Sequence, residues 1–264
     1  MDERERETLL RELGKREVVY RLPGAEAAQL RRLTYPGATG LELPMAIYSP
    51  SSEPPQPLPA VIVAFGYADP EGRILNFGPV TSWARLVAAC GMAAVVYAPT
   101  HPADDIDAAL RYLRREAGSL NLDAERIGVF ATSGSVPVAL SAVMRDRNIR
   151  CAALLYGYTM DLDGGTAVED MARQTGFVNA CAGRTVDDLP ETVALLFVRA
   201  GKDGFPSLNR LLDKVLAQAL VRNLPVAFIN HTTGVHGFDI YDDAVLSRRT
   251  IQHVLTFLQL HLDA

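Results

Sequence analysis

The sequence predicts an α/β fold, in which a mostly parallel β-sheet carries helices on both of its faces. Short, continuous apolar runs alternate along the chain with longer segments whose apolar residues recur every three to four positions. This alternation is typical of βαβ units, whose strands lie parallel in one sheet. The chain has 264 residues, an ordinary length for this class, and we expect one domain over residues 1–264.

The strands are predicted in two forms. Residues 41–48 alternate apolar side chains with polar or small ones, as a half-exposed antiparallel strand does. The other strands are continuous apolar runs, which suit strands covered on both faces. They lie at residues 60–65, 92–98, 126–131, 151–156, 193–199 and 225–230. The proline-rich residues 49–59 are predicted to form a surface connection that cannot continue a sheet.

Helices are predicted between the strands and at both ends of the chain. They lie at residues 1–16, 83–90, 104–116, 136–144, 207–220 and 246–262. Residues 160–190 interrupt the rhythm, because they are polar and lack a long apolar run. We predict a short cap insertion there, over the carboxyl ends of the strands, where open α/β sheets bind their ligands. A plain surface loop is the alternative.

The composition excludes several classes of partner. The formal net charge is −5, so no basic excess exists to bind nucleic acid. No apolar stretch approaches the roughly 20 residues that cross a membrane. The charged N-terminus does not resemble a signal peptide, and we expect a cytoplasmic protein. The three cysteines lack metal-ligand spacing, and neither a metal nor an organic cofactor is expected.

A candidate nucleophile follows the predicted strand at residues 126–131. Ser133 lies in the order small-x-Ser-x-small between a buried strand and a helix, as in a nucleophile elbow. Ala131 and Ser135 stand where such elbows usually have glycine. The alternative is that Ser133 only caps the following helix.

A candidate base and a candidate acid follow the last two predicted strands. His236 lies in a loop flanked by Gly234 and Gly237, which lets the loop fold back over the strand ends. His231, at the end of the last strand, is the competing base. Asp203 follows residues 193–199, where a carboxylate would orient the histidine; the alternative is that it serves only the turn.

The oxyanion hole needs two backbone N–H groups. Gly134, directly after Ser133, supplies one, and Tyr67 in the loop after residues 60–65 is the candidate for the other. The Tyr67 ring is alternatively a wall of the acyl pocket. Phe65, Gly66 and Tyr156, at the ends of two predicted strands, are assigned to the substrate pocket.

These residues resemble the α/β-hydrolase superfamily, and within it the dienelactone hydrolase-like and prolyl-oligopeptidase-like esterase branch. The pieces that carry the resemblance are residues 61–67, 104–113, 127–135, 198–203 and 235–239. The resemblance extends over residues 34–262. It implies an eight-stranded, mostly parallel sheet and acyl transfer to water, and the chain order Ser, Asp, His is the one this fold uses.

Two departures from the superfamily pattern are visible. Residues 65–67 replace the usual His-Gly-Gly run, and the elbow lacks both glycines. Ser133 stands where a dienelactone hydrolase has cysteine and a haloalkane dehalogenase has aspartate, which favours ester chemistry. We therefore expect a serine hydrolase of small or medium carboxylic esters that forms an acyl-enzyme, and a homodimer is the candidate assembly. The alternatives are a peptide or amide hydrolase with the same triad, and a catalytically silent binding protein.

Overall fold

One eight-stranded sheet forms the centre of the molecule. The computed structural model describes residues 11–52, 56–162 and 164–263. The strands are β1 (Gln29–Pro36), β2 (Glu42–Ser49), β3 (Leu58–Val63), β4 (Ala93–Tyr97), β5 (Leu122–Thr132), β6 (Ile149–Leu155), β7 (Ala194–Ala200) and β8 (Val226–His231). Their order in the sheet is β1-β2-β4-β3-β5-β6-β7-β8. The pairs β1–β2 and β2–β4 are antiparallel, and every pairing from β4 to β8 is parallel.

Helices cover both faces of this sheet. They are α1 (Gly78–Ala89), α2 (Pro102–Arg115), α3 (Ala117–Leu120), α4 (Val136–Arg145), α5 (Ala167–Thr175), α6 (Leu208–Val221), α7 (Phe238–Tyr241) and α8 (Val245–Leu262). One apolar core packs α2, α4 and α6 on one face, and a second core packs α1 and α8 on the other. Burial on both faces explains why the central strands are continuous apolar runs.

The cap insertion contains a small core of its own. α5 begins at Ala167, and Val168 and Met171 pack there against Tyr158, Phe177 and the first turn of α6. The side chain of Asp161 accepts the amide hydrogens of Val168 and Glu169 in the first turn of this helix, whose N–H groups have no partner within the helix. The part of the predicted insertion around α5 is therefore packed through apolar side chains.

Three sequence predictions differ from the structure in detail. β1 was not predicted, because its residues are mostly exposed and form no apolar run. Pro59 lies inside β3 and not in the predicted surface connection. It coincides with a shift in the register between β3 and β5, where a strand tolerates a residue without an N–H group. The helix predicted at residues 1–16 lies mostly outside the described residues, and residues 11–14 of it are helical.

Candidate active site

The candidate nucleophile lies on a strained turn at the carboxyl end of β5. Ser133 has a φ of 51°, in the left-handed region that a β-carbon disfavours. α4 begins three residues later at Val136. The neighbouring loop approaches so closely that a β-carbon on Gly157 would lie 2.5 Å from the Ser133 carbonyl oxygen. This crowding gives the physical reason for glycine at position 157.

A hydrogen-bonded chain joins the three residues predicted as a triad. Ser133 Oγ lies 2.7 Å from His236 Nε2, and His236 Nδ1 lies 2.7 Å from Asp203 Oδ2. Because a carboxylate only accepts, Nδ1 donates to Asp203, which leaves Nε2 to accept the hydroxyl hydrogen of Ser133. The Asp203 side chain is fully buried, whereas that of His236 is 24% exposed. The histidine can thus reach a substrate while its orienting carboxylate stays dry.

The loops after β7 and β8 are bonded to each other, which brings the acid to the base. Gly201 N donates to the His231 carbonyl and Lys202 N to the Gly234 carbonyl, each at 2.8 Å. A β-carbon on Gly201 would lie 2.6 Å from the Thr232 carbonyl oxygen, so this close approach requires glycine. The parallel pairing of β7 with β8 therefore continues into the site.

Asp203 serves the turn and the histidine at once. While Oδ2 accepts from His236, Oδ1 accepts the amide hydrogen of Phe205 at 2.9 Å. The Phe205 ring lies 4.4 Å from the His236 ring, centre to centre. The carboxylate is thereby held from two sides, and the two interpretations of Asp203 are compatible.

The loop after β3 packs directly against the elbow. A β-carbon on Gly66 would lie 2.2 Å from the Gly134 carbonyl oxygen, so the two backbones touch. A β-carbon on Gly134 would lie 2.4 Å from the Tyr67 hydroxyl oxygen. The Tyr67 ring therefore covers Gly134. The sequence predicted Tyr67 as a main-chain donor or as a wall of the pocket, and it did not predict that the hydroxyl lies against Gly134.

A cavity of about 40 Å³ opens beside the serine. Its lining consists of the two reacting side chains, small residues and a set of aromatic rings: Tyr67, Ser133, Gly134, Tyr158, Met171, Thr175, Phe177, Phe205 and His236. Within the described part of the chain, no carboxylate, lysine or arginine lines it. Burial, assisted by the charge of Asp203, raises the pKa of Tyr158 to about 12, so this phenol stays neutral. The cavity is suited to an uncharged group.

The residues assigned to the substrate pocket from the sequence are not among those that line this cavity. Phe65 packs its ring against Tyr67, with centroids 5.4 Å apart. Gly66 lies behind Gly134. Tyr156 is buried, and its ring lies 5.0 Å from the His236 ring. Each of the three contacts a residue of the candidate site from the side that faces away from the cavity. Met171, Thr175 and Phe177 of the insertion line the cavity instead.

A buried carboxylate network stands behind His236. Asp239 is 1% exposed and accepts from Trp83 Nε1 at 2.7 Å and from the Tyr156 hydroxyl at 2.6 Å. Burial raises the pKa of Asp239 above its ordinary value. Tyr156 has a φ of 36°, a second strained residue at the rim. Sequence reasoning missed this network, and the position of Asp239 three residues after His236 was the only local signal for it.

The competing base, His231, lies apart from the nucleophile. It is fully buried, and its Nε2 lies 2.7 Å from Ser247 Oγ. The histidine that reaches Ser133 is His236.

Other features of the described residues bear on cofactors and membranes. No cluster of His, Cys, Asp and Glu in the described ranges could hold a metal ion. Cys90, Cys151 and Cys181 are free thiols, and Cys181 Sγ is 3.2 Å from the Pro137 carbonyl oxygen. Among the helices of the described ranges, none combines the length and apolarity that crossing a membrane requires.

Comparison with solved structures identifies the fold. A bacterial heroin esterase is 16% identical, with a TM-score of 0.74 over 99% of this chain and 91% of that one. A thermostable esterase from Pseudomonas putida ECU1011 is 12% identical, with a TM-score of 0.73 over 99% and 91%. Esterase Est22 is 16% identical, with a TM-score of 0.70 over 97% and 87%. The fold is the α/β-hydrolase fold. No family model matches the sequence, and no curated protein matches it at a significant level.

Proposed function

We propose that this protein is a serine hydrolase that cleaves carboxylic esters of small or medium acyl groups. The observation that carries the proposal is the chain of two 2.7 Å hydrogen bonds from Ser133 through His236 to Asp203. A serine hydroxyl becomes nucleophilic only when a positioned base removes its proton, and this arrangement supplies that base. The three structural neighbours named above are all called esterases, which supports the same chemistry.

In the proposed mechanism, His236 takes the hydroxyl proton as Ser133 Oγ attacks the ester carbonyl carbon. Asp203 accepts from Nδ1 and stabilises the imidazolium. The amides of Gly134 and Tyr67 donate to the oxyanion of the tetrahedral intermediate. His236 then protonates the departing alcohol, and water, deprotonated by the same histidine, hydrolyses the acyl-enzyme.

The cavity supports a neutral and compact substrate group. Aromatic rings surround it, and no charged side chain of the described residues faces it. A cavity of about 40 Å³ that is walled by aromatic rings favours a short acyl group. We therefore expect the rate to fall steeply as the acyl chain grows.

Labelling with a fluorophosphonate tests the proposal directly. We expect the wild-type protein to hydrolyse p-nitrophenyl acetate and to be labelled at Ser133, and Ser133→Ala to lose both. Ser247→Ala is the matched control, because it also removes a serine hydroxyl 2.7 Å from a histidine Nε2. Folded wild-type protein that is neither active nor labelled indicates a silent binding protein, and cleavage of aminoacyl amides at a similar rate indicates an amide hydrolase.

A homodimer is proposed through the β8 edge of the sheet. β8 pairs only with β7 among the described strands, and its sequence contains no proline, lysine or carboxylate. Phe228 is 46% exposed on it. Edge strands normally carry charge or proline to prevent pairing. Two copies related by a twofold axis can pair this strand with itself, and sedimentation of a monomer at micromolar concentration would refute this.

Two finer assignments remain proposals. The dienelactone hydrolase-like and prolyl-oligopeptidase-like branch is supported by residues 198–203 and 235–239, which contain Asp203 and His236. A cytoplasmic location is supported by three thiols that form no disulfide in the described chain.

A further inference from the structure

The elbow contains a serine that the triad does not use. Ser135 stands two residues after the nucleophile, where elbows of this kind usually have glycine, and it is 6% exposed. Its Oγ accepts the amide hydrogen of Gly66 at 3.0 Å. The strands before these two residues, β3 and β5, are parallel neighbours. One side chain thus ties the elbow to the loop that we expect to hold the second oxyanion donor.

Gly66 is held from three sides, through both of the peptide groups that meet at it. Besides the bond from its amide to Ser135, its carbonyl accepts from Val178 N of the cap insertion at 2.8 Å. Its Cα packs so tightly on the elbow that an added β-carbon would lie 2.2 Å from the Gly134 carbonyl oxygen and 2.9 Å from Ser135 Cα. Gly66 is thereby anchored by two hydrogen bonds and by close packing on the elbow.

This bond removes the Gly66 amide from the candidates for the second oxyanion donor. The Gly66 N–H points at Ser135 Oγ and cannot serve an oxyanion at the same time. The next amide along the chain is that of Tyr67, which shares a peptide group with the Gly66 carbonyl, so its direction depends on how Gly66 is anchored.

We propose that Ser135 is a positioning residue, whose hydroxyl anchors Gly66 so that the amide of Tyr67, in the next peptide group, points at the oxyanion. The inference rests on the proposed function, since it concerns the same site. It gives the departure from glycine at position 135 a physical purpose. With glycine there, the buried Gly66 amide would lose its acceptor, and the loop would have to shift to find another.

The test compares Ser135→Ala and Ser135→Gly with wild-type protein, using p-nitrophenyl acetate. Removal of one oxyanion donor lowers kcat by about 10²- to 10³-fold in a well-studied protease, and a misdirected donor should cost less. We expect kcat to fall about 10- to 100-fold with KM changed by less than about twofold, because the oxyanion exists only after attack. Ser135→Cys keeps a side chain of similar volume with a weaker acceptor, so its kcat should lie between those of the wild type and Ser135→Ala. This variant replaces Ser135→Ala or Ser135→Gly in the test if either does not fold.

Ser82→Ala is the matched control. Ser82 Oγ also accepts a buried, distant amide, that of Val18, at 3.0 Å, but on helix α1. The Ser82→Ala substitution should lower the free energy of unfolding about as much as Ser135→Ala does, and it should leave kcat unchanged. An unchanged kcat in the folded Ser135 variants, or an equal loss in Ser82→Ala, overturns the inference and leaves the proposed function intact. Wild-type protein that is inactive and unlabelled at Ser133 overturns both.

Discussion

Two sets of serine, histidine and aspartate lie at the same end of the sheet, and they differ in the order in which their members are bonded. His236 is bonded to Ser133 and Asp203, and His231 is bonded to Ser247. The serine-to-histidine distance is 2.7 Å in both sets. Residue type and distance alone therefore do not separate them.

The order of partners separates the two sets. Asp203 accepts from the ring nitrogen opposite the serine, so it fixes the tautomer of His236. Asp242 instead accepts from Ser247 Oγ at 2.7 Å, and His231 Nδ1 has no hydrogen-bond partner among the described residues. Ser247 thus gives its proton to a carboxylate, and it accepts from the histidine rather than donating to it.

Access to substrate also separates them. His236 is partly exposed and lines the cavity, whereas His231 is fully buried and packs its ring 4.7 Å from that of Phe238. A base needs both an orienting acid behind it and a route to the substrate in front of it. The comparison supports the proposed role of His236 as the base and favours a structural role for His231.

Substitution of the two histidines should give the largest difference between the two sets. We expect His236→Ala to lower kcat by about 10⁴- to 10⁶-fold while stability changes little, because the base is lost from a partly exposed site. His231→Ala should keep kcat and lower the free energy of unfolding by about 2 kcal/mol, because it empties a buried position. Ester hydrolysis and urea unfolding of both variants measure this. A folded but inactive His231→Ala would reverse the assignment.

The two aspartates give the next largest contrast. Asp203→Asn should lower kcat by about 10⁴-fold, because an amide can donate to Nδ1 and so favours the wrong tautomer. Asp242→Asn, whose partner is Ser247, should stay within about twofold of the wild-type kcat. Steady-state kinetics on p-nitrophenyl acetate measure both, and equal losses would show that the second set contributes to turnover.

The sequence was most informative where each residue follows a strand. The apolar runs before Ser133, Asp203 and His236 are long and unambiguous, so their side chains could be assigned to one rim of the sheet. β1 was missed because Arg31 and Arg32 lie on an exposed edge strand, where no burial imposes an apolar pattern.

Contacts between distant segments could not be predicted from local patterns. Trp83 meets Asp239 from 156 positions away along the chain, through the packing of α1 beside the last loop. Ser135 was interpreted only as a departure from glycine, because its partner at Gly66 is visible only once β3 and β5 are paired. These supporting residues depend on tertiary geometry, while the reacting residues depend mainly on local sequence.

The hydrogen bonds of Asp239, behind His236, should have a smaller effect on turnover. Asp239→Asn replaces one accepting oxygen with a donating amide, so Trp83 and Tyr156 can no longer both donate to it. The Tyr156 ring that contacts His236 should then shift, and we expect kcat to fall about tenfold or less. Asp243→Asn, on an exposed ion pair with Arg248, is the control and should not change kcat. Equal kinetics for the two variants would limit Asp239 to a structural role.

The smallest expected effect is on stability against pH. Burial lowers the pKa of His231 below its ordinary value of 6.5, an effect that the nearby Asp242 opposes. As the pH falls below 6.5, this histidine therefore becomes protonated in the unfolded chain before it does so in the folded protein. The free energy of unfolding should decrease in that range by at most about 1.4 kcal/mol per pH unit. His231→Gln keeps a donor for Ser247 but cannot titrate, so its unfolding free energy should decline less than that of the wild type between pH 6.5 and 5. Parallel curves in urea titrations would mean that His231 is protonated equally in both states, which its complete burial without a partner on Nδ1 argues against.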